Sequence, residues 1–333
     1  MDDAKGGMKN IKDLRAGETV TGYFVVRKIE IKTKWDGSPY LLLSLGDSTG
    51  RISSTVWNEV KKLYDSIRVG DVVKVMGRVV TYKDSLQLSL ERIRKASESE
   101  KIDKRNFVKR GSLDIEELWR NLIKKVESIK EPNLKGLLNR VFKNSELVNR
   151  FKEAPGGKLW HHAYLGGLLE HTMAVVEVCE TMVRLYPDVD RDVLIAGALL
   201  HDIGKIDEYG YDDGFIDYTD EGRLWGHISM GAQMIRSTID EMEKEEGFPV
   251  ELKKHIIHLI LSHQGELEHG SPVVPATLEA IILYYSDEMD SKANALKHVI
   301  ERDIEPGRRW SQYIRLMDRF IYLGDREDLS DES

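Results

Sequence analysis

The 333-residue sequence predicts a multidomain protein in which a small all-β barrel is followed by an all-α domain. Up to about residue 95, apolar residues alternate over short runs, which is typical of half-buried strands. From Leu113 onward they recur three and four positions apart, which indicates amphipathic helices. The charge changes at the same place, since residues 1–112 carry a net +8 and residues 113–333 a net −16. A basic part joined to an acidic part favours contact of the first with a polyanion, although surface biases of this size are common.

Five runs before residue 95 have the composition of strands, with glycine-containing turns at 37–39 and 46–50 between the first three. One short helix is predicted at 58–67. Five strands with a helix after the third is the order of an oligonucleotide-binding (OB) barrel. We therefore expect an OB domain over residues 1–95 and a charged linker over 96–112. The predicted strands are 19–31, 40–45, 51–57, 72–82 and 85–93.

The helical domain is predicted to extend over 113–323. Its first helix follows a candidate capping residue, Ser112, and has the spacing i, i+3, i+4, i+7 from Ile115 to Val126. The stretch 215–225 interrupts the helical pattern and is predicted to form a small hairpin or an ordered loop. An acidic tail over 324–333 has no periodicity. The further helices are predicted at 133–142, 145–153, 165–186, 191–203, 227–245, 249–263 and 275–296.

The composition excludes several classes of protein. With 41% hydrophobic and 32% charged residues, the chain is neither wholly disordered nor collagen-like. Its one cysteine, Cys179, cannot form an intrachain disulfide. No run reaches the ~18 apolar residues that a membrane span needs, and the first residues lack the apolar stretch of a secretory signal. We therefore expect a cytoplasmic protein that does not contact membranes.

The chemistry-bearing residues are concentrated in the helical part, because all ten histidines follow residue 160. The pair His201-Asp202 closes a helix that is apolar on every side, and Lys205 follows at once. A helix of that kind must be buried, and the isolated burial of charged groups costs several kcal/mol. A bound metal would satisfy the imidazole and the carboxylate.

Other side chains strengthen the prediction of a metal site. His171 falls on the apolar face of its predicted helix, and Asp287 lies on a helix whose other inward positions are apolar. A single inward histidine is more often a hydrogen-bonded core residue. Here, however, His227 opens one helix and His263 closes another. Neutral imidazoles combined with carboxylates suit Mn, Fe, Co, Ni or Zn better than Mg.

The series His171, His201-Asp202, Asp287 resembles the H…HD…D signature of the HD superfamily of metal-dependent phosphohydrolases. His227 and His263 are similar to the extra ligands of its two-metal members. The strings HHAYLGGLLEHT (161–172) and YTDEGRLWGH (218–227), together with an OB domain, resemble the YhaM-type 3′-to-5′ exoribonucleases. The resemblance extends from about residue 11 to about residue 290.

The resemblance implies a two-metal enzyme that hydrolyses phosphodiester bonds with an activated hydroxide and releases nucleoside monophosphates from a 3′ end. Two ions are implied, Mn or Co, with Fe, Ni and Zn as alternatives. Asp202, Lys205 and His162 are the candidate catalytic residues, although Lys205 could equally be an ordinary helix-end lysine and His162 a helix cap. Asp290, one turn after Asp287, could support or replace it. The implied metal ligands are His171, His201, Asp202, His227, His263 and Asp287.

The barrel sequence indicates the substrate. Basic residues alternate with aromatic ones, as in grooves that follow phosphates and stack bases. The candidate nucleic-acid-binding residues are Lys34, Trp35, Tyr40, Trp57, Tyr82 and Lys83. We therefore expect single-stranded nucleic acid as the partner. The resemblance implies RNA, with single-stranded DNA and an oligomeric assembly as open alternatives.

Two other functions remain open at this point. The chain could be an HD phosphohydrolase of a small nucleotide in which the barrel regulates or assembles the protein. It could also be a non-catalytic nucleic-acid-binding protein with a structural metal site. The resemblance implies that Asp202 bridges the two ions. This argues against the non-catalytic protein, since binding of nucleic acid alone does not require a bridging carboxylate.

Overall fold

The computed structural model describes residues 9–82, 85–303, 308–315 and 317–324. The chain divides into two compact units. The first comprises the chain up to Arg110 together with Gly210–Asp217, and the second comprises Gly111–Tyr209 and the chain from Tyr218 onward. The second unit is thus interrupted in sequence by eight residues that belong with the first.

The first unit contains a closed five-stranded barrel of the OB type, which confirms the predicted fold class. All five predicted strands and the short helix are present. They are β1 (Thr19–Thr33), β2 (Pro39–Gly46), β3 (Arg51–Val56), α1 (Val60–Ser66), β4 (Val72–Tyr82) and β5 (Ser85–Lys95). The strands are ordered β1-β2-β3-β5-β4, with β3 and β5 parallel and the other neighbours antiparallel.

Alternation of side chains along the strands fills the barrel. In β2, Leu41, Leu43 and Leu45 are each buried, whereas the residues between them are partly exposed. Since successive side chains of a strand point to opposite faces, this pattern places every second residue in the core. β1 pairs with β4 from Thr19 to Val25 and with β2 from Val25 to Thr33, with a register shift between Val26 and Lys28. The barrel closes through this one long strand.

The segment that follows β5 is anchored to the barrel by an aromatic residue. Phe107 is buried and forms a small cluster with Val25 and Val72. Phe215, from the eight-residue insertion, packs against the same cluster, and the guanidinium of Arg27 lies 5.3 Å from its ring centroid. Residues expected to form a charged linker therefore include a hydrophobic contact that periodicity alone does not predict.

The second unit is helical, as predicted. Its helices are α2 (Ile115–Ser128), α3 (Pro132–Phe142), α4 (Ser145–Glu153), α5 (Gly167–Leu185), α6 (Arg191–Leu200), α7 (Lys205–Glu208), α8 (Asp220–Glu245), α9 (Val250–Ser262) and α10 (Leu278–Asp303). The core is formed mainly by α2 to α6 and α8 to α10, and α6 is buried at every position from Val193 to Leu200. Asp190 caps α6 by accepting from the backbone N–H groups of Asp192 and Val193.

The hairpin predicted at 215–225 is wrong in its second half. Residues from Asp220 onward are helical and form the start of α8, while β6 (Tyr209–Gly210) pairs with β7 (Asp217–Tyr218). Thr219 caps the helix, since its hydroxyl accepts from the N–H of Gly222 at 2.9 Å. A capping threonine followed by two acids is a helix-start signal, and it outweighs the short apolar run after it.

None of the helices in the described part of the chain is long and apolar enough to cross a membrane. The acidic tail from residue 325 lies outside the described residues.

Candidate metal centre

Helix ends of the second unit bring the predicted ligands together. His171 lies in the first turns of α5, His201 and Asp202 directly follow α6, and His263 follows α9. These four side chains are at most 2% exposed. His227 lies in α8 and Asp287 in α10. Residues far apart in sequence thus meet in one buried cluster.

Asp202 is at the middle of this cluster. Its Oδ2 lies 3.3 Å from Nε2 of His171 and 3.4 Å from Nε2 of His201. Its Oδ1 lies 3.4 Å from Nε2 of both His227 and His263. Each oxygen of one carboxylate therefore faces a different pair of imidazoles.

Backbone carbonyls orient two of these imidazoles. Nδ1 of His201 donates to the carbonyl of Ala198 at 2.8 Å, and Nδ1 of His263 donates to the carbonyl of Ile260 at 2.7 Å. Because a carbonyl only accepts, Nδ1 carries the proton in both rings and Nε2 of the neutral ring keeps its lone pair. Both lone pairs point into the cluster.

Carboxylates orient the other two imidazoles. Nδ1 of His227 lies 3.0 Å from Oε1 of Glu208, and Nδ1 of His171 lies 2.7 Å from Oδ2 of Asp290. A carboxylate partner on the distal nitrogen is typical of metal-binding histidines, because it fixes the ring and makes it more basic. All four imidazoles share one arrangement, with Nδ1 held from outside and Nε2 directed inward.

Asp287 and Asp290 lie on opposite sides of the same imidazole. Oδ1 of Asp287 is 3.1 Å from Nε2 of His171, whereas Asp290 contacts Nδ1. Burial by itself would lower the pKa of His171, but Asp202 and Asp287, with Asp290, outweigh it and hold that pKa well above its usual range. The imidazole therefore carries a proton wherever no other cation balances these carboxylates.

Lys205 lies inside the cluster and is buried. Its Nζ donates to the carbonyl of Gly156 at 2.7 Å and lies 2.5 Å from Oδ2 of Asp202. Burial opposes the ionisation of Asp202, yet Lys205 and His201 outweigh it and keep the pKa of this carboxyl well below its usual range. The ammonium thus interacts with the carboxylate at the centre of the cluster.

The donor atoms fit a metal ion. Oδ1 of Asp202, Nε2 of His227 and Nε2 of His263 are buried without a hydrogen-bond partner among the described residues. Two sets, one of His171, His201 and Asp202 and one of Asp202, His227 and His263, have ligand atoms within 4.8 Å of one another. A lone pair on Nε2 facing a carboxylate oxygen is repulsive unless a cation or a proton lies between them. Imidazole and carboxylate donors suit the transition metals named above.

His162 is 2% exposed and its ring nitrogens face protein groups. Nε2 lies 2.8 Å from Oδ2 of Asp290, and Nδ1 lies 3.0 Å from the hydroxyl of Tyr164. Its backbone is left-handed, with φ of 45°, and its N–H donates to Oδ1 of Asn294. The imidazole thus reaches the cluster through Asp290.

Two glycines allow the backbone to bring His227 close. A Cβ on Gly204 would lie 2.0 Å from the carbonyl oxygen of His227, so no larger residue fits where α7 begins against α8. Gly226, with φ of 72° and ψ of 151°, breaks α8 directly before His227. Only glycine adopts this conformation readily.

Glu208 is part of the centre, although the sequence pattern does not predict it as a site residue. Its carboxylate is buried and accepts from both Nδ1 and the backbone N–H of His227. The signal in the sequence is a carboxylate four residues after Gly204, close behind the His201-Asp202 pair, but such acids are common on exposed helix ends.

Three of the predicted nucleic-acid-binding side chains of the barrel lie together. The rings of Tyr40 and Trp57 have centroids 5.1 Å apart, and Nζ of Lys34 lies 4.6 Å from the Trp57 ring centroid. Trp57 is 45% exposed. The cluster presents an aromatic surface beside a cation, which is the combination that base stacking uses.

The remaining three are placed differently. Trp35 is fully exposed in the turn after β1. Tyr82, also exposed, ends β4 where that strand pairs with Ser85. Lys83 lies outside the described residues.

Comparison with known proteins supplies the family. An HD domain model matches residues 168–292, and a model of the OB-fold nucleic acid binding domain matches residues 25–96. The 3′-5′ exoribonuclease YhaM of Shouchella clausii (strain KSM-K16) is 31% identical over 316 residues, which cover 94% of this chain and 96% of that protein. The chain belongs to the YhaM family. All six predicted ligands of this YhaM-family chain lie within the HD match.

Among solved structures, two of a replication protein A domain from Methanococcus maripaludis are similar to part of this YhaM-family chain. One, a solution structure of the second OB-fold domain, is 26% identical, covers 27% of this chain and 94% of its own, and has a TM-score of 0.23. The other, a crystal structure, has the same identity and coverage and a TM-score of 0.24.

Proposed function

We propose that this chain is a metal-dependent 3′-to-5′ exoribonuclease that hydrolyses phosphodiester bonds of single-stranded RNA and releases nucleoside monophosphates. The observation that carries the proposal is the carboxylate of Asp202 between two pairs of inward-directed imidazoles, in a chain of the YhaM family. A site that only stabilised the fold would not need one carboxylate to serve two ligand sets.

We assign the metal ligands by the side of Asp202 on which they lie. His171, His201 and Asp287, together with Asp202, would hold one ion. His227 and His263, together with Asp202, would hold a second. Bound divalent ions, Mn or Co with Fe, Ni and Zn as alternatives, would supply polarisation of a phosphate and activation of water near neutral pH.

The other residues hold these donors in place. Asp290 and Glu208 orient His171 and His227 from outside, and His162 holds Asp290. The ammonium of Lys205 offsets negative charge at Asp202 and would attract a phosphate oxygen of the substrate. We therefore assign Lys205 to attracting the substrate phosphate and offsetting the charge of Asp202. We assign His162 to positioning Asp290.

The barrel would hold the RNA strand. The aromatic surface of Tyr40 and Trp57, with Lys34 beside it and Trp35 on the neighbouring turn, is suited to stacked bases and nearby phosphates. The net +8 of residues 1–112 would attract the polyanion. In this assignment residues 1–95 bind RNA, 113–323 cleave it and 96–112 connect them, in a protein of the cytoplasm.

A gel assay of a 5′-labelled RNA tests the proposal. We expect the oligomer to shorten from its 3′ end with Mn²⁺ or Co²⁺ and to stay intact with chelator. Asp202→Asn should abolish shortening, while Asp188→Asn, at an exposed carboxylate between α5 and α6, should not. The same assay on a DNA oligomer of identical sequence measures the preference for ribose over deoxyribose.

An RNA that stays intact with every metal would contradict the exonuclease. In that case, hydrolysis of a mononucleotide by the same protein would support the small-nucleotide phosphohydrolase, and stoichiometric RNA binding without turnover would support the binding protein.

A further inference from the structure

The chain after α10 forms a hairpin whose composition differs from the rest of the second unit. This C-terminal hairpin comprises residues 308–315 and 317–323. Trp310 pairs with Tyr322, and Ile314 pairs with Arg319, in two antiparallel bridges. The N–H of Leu323 donates to the carbonyl of Arg309 at 2.8 Å. The segment is therefore ordered by backbone hydrogen bonds.

The hairpin combines buried residues with exposed aromatic residues. Ser311, Ile314 and Leu323 are at most 6% exposed. Four aromatic residues, in contrast, are each 48–57% exposed: Trp310, Tyr313, Phe320 and Tyr322. About half of each aromatic side chain is therefore open to solvent.

The exposed rings form two pairs across the hairpin. The centroids of Trp310 and Tyr322 lie 5.1 Å apart, and those of Tyr313 and Phe320 lie 5.2 Å apart. Edge contact within a pair leaves ring faces available to other planar groups. Each pair is an exposed apolar patch, and exposed apolar patches are a feature of interaction sites.

The charge of the hairpin is opposite in sign to the net charge of residues 113–333. Arg308, Arg309, Arg315 and Arg319 are accompanied by a single acid, Asp318, although residues 113–333 together carry −16. The guanidinium of Arg309 lies 5.5 Å from the ring centroid of Tyr322 and donates to its hydroxyl. Cations and open ring faces therefore occur on the same element.

We propose that the C-terminal hairpin is a second binding site for single-stranded nucleic acid, separate from the aromatic cluster of the barrel. The bases of a single strand can stack on the aromatic rings of the hairpin, and its phosphates can pair with the arginines. The site extends the proposed function, because it gives the helical unit its own hold on RNA. The binding does not require hydrolysis.

Anisotropy of a labelled 20-nucleotide single-stranded RNA, measured in chelator with the full chain, tests the proposal. Trp310→Leu with Phe320→Leu keeps apolar side chains and removes two large rings. We expect the dissociation constant to rise about tenfold, since each stacked base contributes strongly to affinity. Tyr186→Leu, at an exposed aromatic residue just after α5, is the matched control and should bind like the unchanged protein.

Arg315→Gln is a second, milder variant. Loss of one phosphate contact to a single strand should reduce the slope of log affinity against log salt by about 0.7. Lys254→Gln, which removes an exposed cation of α9, should leave the slope unchanged. Circular dichroism would show that each variant is folded.

Unchanged affinity and salt slope in both hairpin variants would overturn the proposal. A change of molar mass in light scattering with RNA binding intact would overturn it too, and would identify the hairpin as an interface between copies of the chain. Loss of RNA binding in the variants, in a protein that does not degrade RNA with metal, would support the hairpin site and reject the exonuclease.

Discussion

In each imidazole of the metal centre, the proton on Nδ1 leaves Nε2 as the nitrogen that can bind a metal. Carbonyl or carboxylate acceptors hold Nδ1 of His171, His201, His227 and His263, so that Nε2 is directed inward. The geometry is therefore set by groups that would not touch a metal, and substitutions at those groups should separate orientation from ligation.

Glu208 offers such a substitution. Glu208→Ala removes the acceptor on Nδ1 of His227, and we expect the affinity for one of two Mn²⁺ ions to fall about 10- to 100-fold. Isothermal titration of the metal-free protein measures it. Glu208→Gln is the control, because its carbonyl oxygen still accepts; equal affinities for all three proteins would contradict the assignment.

His161 makes stability depend on pH. Its ring is largely buried, 5.6 Å between centroids from His171, and burial, with Lys205 nearby, lowers the pKa of His161 to about 3. An unfolded histidine titrates near 6.5, so between pH 6.5 and 3 the unfolded chain binds more protons and stability falls as pH falls.

We expect the metal-free protein to lose about 1.5 kcal/mol more than His161→Asn between pH 6.5 and pH 5. Urea unfolding at the two pH values measures the difference. The same loss in both proteins would show that His161 takes up its proton in the folded chain over this pH range, as it does in the unfolded chain.

At the scale of elements, the centre depends on how closely two helices approach. The turn between Asp202 and α7 packs against α8 through Gly204, where a Cβ would lie 2.0 Å from the carbonyl oxygen of His227 and 2.7 Å from the nitrogen of Gly231. Neither backbone atom can rotate away. The spacing of the two ligand sets thus rests on one missing side chain.

Gly204→Ala should therefore destabilise the fold by about 2 kcal/mol and displace His227. Thermal unfolding and the number of bound Mn²⁺ ions measure the two effects. Gly136→Ala in α3 is the matched control, because its Cβ would meet only the terminal methyl of Met242, at 3.1 Å. A Gly204→Ala protein with unchanged stability and metal content would refute the prediction.

At the scale of the molecule, binding and chemistry are assigned to different units. A deletion of residues 1–95 would test this poorly, because Gly210–Asp217 and Phe107 belong with the barrel and would lose their hydrophobic partners. Point substitutions in the aromatic cluster keep the barrel intact and are the better test.

We expect Lys34→Gln with Trp57→Leu to weaken binding of a 20-nucleotide RNA at least fivefold and to reduce its salt dependence, since one base stack and one cation are lost. Turnover of a dinucleotide should not change. Tyr64→Leu, at an exposed ring on α1, is the control. Equal losses on both substrates would argue against the barrel as an RNA-holding unit.

Much of the fold could be predicted because burial within an element repeats over a few residues. Alternation along β2 and the all-round apolar sequence of α6 predict a barrel strand and a buried helix without any long-range information. The prediction at 215–225 is wrong after Thr219, because that residue caps the start of α8. The histidines and aspartates that meet in the centre were predicted from the sequence as well. That they bind a metal is still a prediction.

The sequence by itself determined the two fold classes and the set of histidines and aspartates from which a metal centre can be formed. Only the tertiary structure decided that Asp287 faces Nε2 and Asp290 faces Nδ1 of His171, since residues three apart share one face of a helix. It alone joined Glu208 to His227 and the insertion with Phe215 to the barrel. The physical reason is that periodicity reports which face of an element is buried, whereas the partner of that face depends on packing between segments far apart in the chain.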